Sequence, residues 1–169
     1  MEIAGCDVVE LAERFGTPAY VFSVSEMRNR ARAYVDAFSS RTDEFEVLYA
    51  SKALPVTAAY RLFAEEGLSV DVASGGELTM ALAAGYDPSL VYMHGNNKTD
   101  AELRLAEEAQ VGHLILDSFD EIERCERVLT RRQDVLIRVT PGIEPSTHTY
   151  IQTGQLDSKF GFGLEDGSA

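Results

Sequence analysis

From Val47 onward, short runs of β-branched and other apolar residues alternate with longer stretches whose apolar positions recur every three or four residues. The runs are Val47-Leu48-Tyr49-Ala50, Ser69-Val70-Asp71-Val72, Leu90-Val91-Tyr92-Met93, His113-Leu114-Ile115-Leu116 and Val135-Leu136-Ile137-Arg138-Val139. Their starts lie 22, 21, 23 and 22 residues apart. Such even, helix-sized intervals predict successive β/α units with parallel strands, because a parallel neighbour can be reached only by a crossover connection.

The intervening stretches carry helix starts. Ser74-Gly75-Gly76-Glu77, Thr99-Asp100-Ala101-Glu102 and Ser118-Phe119-Asp120-Glu121 each fit the capping box, in which a hydroxyl and a carboxylate three residues later satisfy orphan backbone donors. Helices are expected over 101–109 and 120–129, and Pro55 suits the first turn of the helix after the first run. Upstream, Pro18-Ala19-Tyr20-Val21-Phe22 reads as a separate strand, and Ser23-Val24-Ser25-Glu26 caps a helix over about 26–39.

Five near-equal units suit either a doubly wound sheet or a (β/α)₈ barrel. No GxGxxG or GxxxxGK[ST] loop follows the first run, which weighs against the nucleotide-binding open sheets. The even spacing favours the barrel. A complete barrel takes about 250 residues, and roughly 120 follow the start of the first run, so an incomplete barrel is expected. Its end strands would leave open edges and bare apolar inner faces, a liability for aggregation unless a partner covers them.

Alternate residues of a barrel strand face the centre, and those near the carboxyl ends lie at the active-site mouth. Strand two separates Val70 and Val72 from Ser69, Asp71 and Ala73; strand five separates Val135, Ile137 and Val139 from Leu136, Arg138 and Thr140. Lys52 falls in register with Leu48 and Ala50, and His94 with Tyr92. Lys52, Asp71, His94 and Arg138 are thus the inward, top-side polar set. Each has a bland alternative: a solvated strand-end lysine, a hydrogen-bonded strand carboxylate, a satisfied histidine, a structural ion-pair arginine. Together they suggest lysine-based chemistry, with Asp71 expected to pair with Arg138 and with Lys52.

Composition changes this picture little. The 169 residues are 45% hydrophobic and 25% charged, the balance of a globular domain with a real core. A net charge of −13 argues against nucleic-acid or anionic-membrane partners. No apolar run approaches the ~20 residues of a membrane span, and no secretory leader is evident. Cys6 and Cys125 form no disulfide framework, which fits the cytoplasm. With His113 and His148 the only other histidines, and no ligand spacing between them, no metal site is expected.

The words at the strand ends carry a resemblance. Tyr49-Ala50-Ser51-Lys52-Ala53, Asp71-Val72-Ala73-Ser74-Gly75-Gly76-Glu77-Leu78, His94-Gly95-Asn96-Asn97-Lys98 and Arg138-Val139-Thr140-Pro141-Gly142-Ile143-Glu144 follow in order. His148-Thr149-Tyr150-Ile151-Gln152-Thr153-Gly154 and Asp157-Ser158-Lys159-Phe160-Gly161 continue it, and Phe15-Gly16-Thr17-Pro18 precedes it. This run resembles the fold-type III pyridoxal-phosphate decarboxylases, and within them the branch acting on diaminopimelate. The resemblance implies an alanine-racemase-like barrel over 41–169, with 1–40 joining it to an additional β domain.

It further implies that Lys52 carries pyridoxal 5'-phosphate as a Schiff base, that Asp71 lies beside that lysine and the cofactor, and that Arg138 lines the pocket. His94 and Lys159 are implied near the cofactor. The implied reaction converts meso-diaminopimelate to L-lysine in a cytoplasmic homodimer. The phosphate loop, the glutamate at the ring nitrogen and the groups that read the substrate's far end would lie beyond residue 169. Weak cofactor binding without turnover is therefore expected of the isolated chain. Two alternatives remain: a related decarboxylase of ornithine, arginine or carboxynorspermidine, or a non-catalytic cofactor-binding remnant.

Overall fold

The computed structural model describes residues 1–141, 160–164 and 167. The even beat becomes five parallel strands, β3 (Leu48–Ala50), β4 (Ser69–Val72), β5 (Val91–Met93), β6 (His113–Leu116) and β7 (Asp134–Ile137), paired in chain order. Between them run α3 (Thr57–Glu65), α4 (Gly75–Ala83), α5 (Asp100–Glu108) and α6 (Phe119–Val128). Ala50, Asp71, Tyr92, His113 and Asp134 form one row across the sheet, and Val72, Met93, Leu114 and Val135 another.

One face of this sheet is the core. Val70, Val72, Val91, Met93 and Leu114 are fully buried there against Tyr60 of α3, Leu78 and Ala81 of α4, and Leu103 and Ala106 of α5. Each such aliphatic side chain contributes about 1.5–3 kcal/mol relative to exposure. The cover stops at β7, where Val135 and Ile137 are 45% and 56% exposed. The opposite face, which would line the barrel, is open at Leu48, Ala50 and Leu136.

Serine and threonine start the helices as expected. Ser74, Thr99 and Ser118 accept from the amides of Glu77, Glu102 and Glu121, and Ser23 does so from Glu26 at the head of α2 (Val24–Ser39). Only Thr99–Glu102 closes both arms of the box. Ser74 and Ser118 sit at φ −156° and −158°, against −77° for Thr99. In that more extended setting the carboxylates of Glu77 and Glu121 reach one residue further, to the amides of Ala73 (2.6 Å) and Asp117 (2.8 Å).

Three local expectations change. Residues 18–22 form no strand: none of the described residues pairs with them, and Tyr20 is 95% exposed. Pro55 lies outside its helix, which is capped by Val56 after a 3₁₀ turn over Ser51–Ala53. The N-terminus holds an unforeseen hairpin, β1 (Glu2–Ile3) with β2 (Cys6–Asp7), followed by α1 (Val8–Phe15). Asp7 caps α1 by accepting from Val9 (2.8 Å) and Glu10 (3.3 Å). At the other end, the expected last strand breaks at Arg138, and β8 (Val139–Thr140) pairs with β9 (Phe162–Gly163).

Candidate functional site

Lys52 stands in the 3₁₀ turn that directly follows β3. The turn is pinned around it. Ser51 is fully buried and donates to Glu77 Oε2 (3.1 Å), while Leu54 N donates to Ser51 O (3.0 Å). The Tyr49 hydroxyl, pushed up to about 12 by burial, donates to Leu54 O (2.8 Å). Lys52 itself is exposed, and among the described residues its amine has no hydrogen-bond or ion-pair partner. A fixed backbone thus presents an exposed, unpaired primary amine just past the end of β3.

Asp71 is level with Ala50 on the neighbouring strand. Its Oδ1 lies 3.1 Å from His94 Nδ1, in a pair about one-quarter and one-third exposed. The expected pairing of Asp71 with Arg138 and Lys52 is not found; β4 and β7 are three strands apart, whereas β5 is adjacent. His94 continues β5 through its amide, which donates to Val72 O (2.7 Å). With Asp71 accepting from Nδ1, the neutral ring leaves Nε2 as an acceptor. That atom is buried with no partner among the described residues. The Tyr60 and Tyr86 hydroxyls and His113 Nδ1 are buried in the same way.

Arg138 finds its carboxylate on the adjacent strand end. Its guanidinium contacts Asp117 Oδ1 (3.1 Å) and lies 4.2 Å over the Phe160 ring. Asp117 Oδ2 accepts from Gly161 N (3.0 Å), so one buried carboxylate gathers Arg138 and the returning segment. Gly161 is required there: φ is +74°, and an added Cβ would meet Arg138 O at 2.7 Å. Lys159 lies outside the described residues.

The structure pairs Asp71 with His94 and leaves Lys52, just past the end of the neighbouring β3, without contact to either, with Arg138 further along the same sheet edge. Sequence reasoning missed the buried supports beneath them. Lys98 and Glu121 form an ion pair at 2.6 Å with side chains 1% and 5% exposed. Glu77, Glu102 and Glu121, each third in its helix, all reach back to the preceding unit, at Ser51, Gly75 N (2.8 Å) and Lys98 respectively. The capping-box words were the available signal for those glutamates; Lys98 stood in the motif His94-Gly95-Asn96-Asn97-Lys98, but nothing marked it as buried. No cluster of metal-ligating side chains occurs among the described residues. A groove of about 380 Å³ between α1 and residues 16–22 is lined by apolar groups such as Leu11, Phe15 and Phe22, and lies apart from these residues.

Comparison with known proteins gives the family of the chain. Residues 24–169 match the family model described as pyridoxal-dependent decarboxylase, pyridoxal binding domain. The chain is 47% identical to a diaminopimelate decarboxylase of Bacillus methanolicus over 172 residues, covering all of this chain and 40% of the relative. It is 48% identical to that of Bacillus subtilis, covering 99% of this chain and 39% of the relative. The crystal structure of diaminopimelate decarboxylase from M. jannaschii in co-complex with L-lysine superposes with a TM-score of 0.82 at 34% identity, over 97% of this chain and 39% of that one. The chain spans about 40% of the length of these relatives.

Proposed function

Because the chain belongs to the pyridoxal-dependent decarboxylases, through their pyridoxal-binding domain, we propose that it supplies the cofactor-attaching part of an amino-acid carboxy-lyase, with Lys52 as the point of attachment. Its five parallel strands form an incomplete alanine-racemase-like (β/α)₈ barrel. The whole protein, on this reading, decarboxylates meso-diaminopimelate to L-lysine. The names of the relatives and the L-lysine complex support that substrate.

The observation that carries the proposal is the partnerless amine of Lys52 on a turn fixed by Ser51 and Glu77. The residues present fit pyridoxal 5'-phosphate: an exposed, unpaired amine for its aldehyde, and on the same sheet edge the Asp71–His94 pair and the guanidinium of Arg138. When bound, the cofactor's ring accepts the electron pair left on the substrate's α-carbon as carbon dioxide departs. Lys52 binds the cofactor through Nζ. Asp71 holds His94 by Nδ1 and thereby fixes which ring nitrogen can accept a proton. Arg138, held by Asp117 and Phe160, supplies a fixed positive charge for a carboxylate or phosphate oxygen. Lys159 is assigned to the same side of the barrel from the family motif alone.

A cytoplasmic homodimer is the setting that family membership supports. No helix among the described residues is long and apolar enough to cross a membrane. The test of attachment is direct. Pyridoxal phosphate added to the chain should give the absorbance of a protein-bound imine, and borohydride should fix the label on Lys52. Lys52→Ala should abolish both. Label found elsewhere, or absorbance unchanged in the alanine variant, would remove the assignment. Incubation of the 169-residue chain with cofactor and meso-diaminopimelate should yield no lysine, because it spans only about 40% of the length of the decarboxylases it matches.

A further inference from the structure

We infer that Lys98 is a positioning residue for the cofactor site: its buried ion pair with Glu121 locks the strand-end turns that carry His94 and Arg138 into one arrangement. The inference rests on the proposed cofactor role of that rim and adds the element that holds it in shape.

The Lys98 ammonium donates to Gly95 O (2.8 Å) and Ile115 O (2.7 Å), and forms an ion pair with Glu121 Oε1 (2.6 Å) that lacks hydrogen-bond geometry. With two hydrogen bonds, one ion pair and a side chain only 1% exposed, it is no second reactive lysine. What it does instead is tie three pieces of backbone. Gly95 directly follows His94. Ile115 belongs to β6, two residues before Asp117. Glu121 uses its other oxygen to accept from Asp117 N (2.8 Å).

Asp117 then completes the path, because its two carboxylate oxygens hold Arg138 (3.1 Å) and Gly161 N (3.0 Å). The links from His94 to Arg138 are thus Gly95, Lys98, Glu121 and Asp117, and the three charged side chains among them are almost wholly buried. The His94 end is also tightly seated. Gly95 has φ +111°, and an added Cβ would stand 3.0 Å from Ala73 O, two residues after Asp71. A shift of the Gly95 turn therefore presses on the strand end that carries the partner of His94.

Holding a fold together does not require this arrangement. A buried ion pair replaced on both sides by apolar residues of similar volume often leaves a protein as stable as before, while removing one partner strands a charge. Orientation of two carbonyls and one amide at a binding rim is what an apolar pair would not supply. This difference separates positioning from mere stability.

The experiment titrates pyridoxal phosphate into the parent chain, Lys98→Met, and the double variant Lys98→Met/Glu121→Leu, reading both the Lys52 imine and the melting midpoint. Lys98→Met should lose both stability and affinity. The double variant should recover most of the midpoint yet keep a dissociation constant raised on the order of tenfold, the scale on which residues supporting a ligand site from behind act. Affinity that returns together with the midpoint would show a purely structural role and overturn the inference. A double variant that does not fold would overturn it as well, since the pair would then be indispensable to the fold. A parent chain that forms no Lys52 imine removes the cofactor reading itself, a result distinct from a binding-competent parent with an unaffected double variant.

Discussion

Leu114 and Val135 test where the helical cover of the sheet ends. They stand in one row on adjacent strands and face the same side, yet Leu114 is fully buried and Val135 is 45% exposed. Leu114→Ala should cost about 3 kcal/mol, within the range for a buried leucine that leaves a cavity. Val135→Ala removes two methyl groups, worth about 1.6 kcal/mol if fully buried at about 0.8 kcal/mol each; with nearly half the side chain already in water, the expected cost is under about 1 kcal/mol. For a chain of this length the melting midpoints should fall by roughly 6–12 °C and at most about 4 °C, respectively, at about 2–4 °C per kcal/mol. Urea unfolding followed by far-UV circular dichroism measures the difference, provided the slopes agree. Equal losses for the two variants would refute the reasoning, because they would mean that the outer face of β7 is covered in solution.

Two further variants probe other contacts. Gly112→Ala would set a Cβ 2.1 Å from Ser89 O, demanding a backbone shift of more than about 1 Å and costing about 1–3 kcal/mol; an unchanged melting midpoint would contradict that packing. Arg32 and Arg28 hold the Glu66 carboxylate at about 2, below its ordinary 4.5, so its contribution is complete above pH 4.5 and is lost as pH falls toward 2. Glu66→Gln should remove that part of the acid limb, and parallel acid limbs for parent and variant would show that the α2–α3 clasp does not contribute.

The strand positions were legible because alternation and spacing agree: Val70, Val72, Val91 and Met93 were readable as one face, and they are that face. The helix starts at Ser74, Thr99 and Ser118 were legible for the same local reason. The two-residue period picked out Lys52, Asp71, His94 and Arg138 as strand-end residues, although Lys52 lies in a 3₁₀ turn and Arg138 at the break between β7 and β8. Their pairing was not legible, because it depends on which strand ends are neighbours. Asp71 took the histidine next door, and Arg138 took Asp117, itself next door. Residues 18–22 show the converse limit: a run with strand composition becomes a strand only where another strand meets it. Lys98 was illegible as a support because a lysine in a polar loop is ordinarily solvated, and only two converging carbonyls and a buried carboxylate reveal otherwise.

The backward reach of Glu77, Glu102 and Glu121 gives the chain a direction. Each carboxylate completes hydrogen bonds or charge pairing in the unit made before its own, and none of the three waits on a unit still to come. A polypeptide leaving the ribosome meets its earlier units first, so each new helix can zip its neighbour's upper edge shut as it emerges. The polar trim of the rim is thus assembled like overlapping roof tiles, with every course fastening the one beneath.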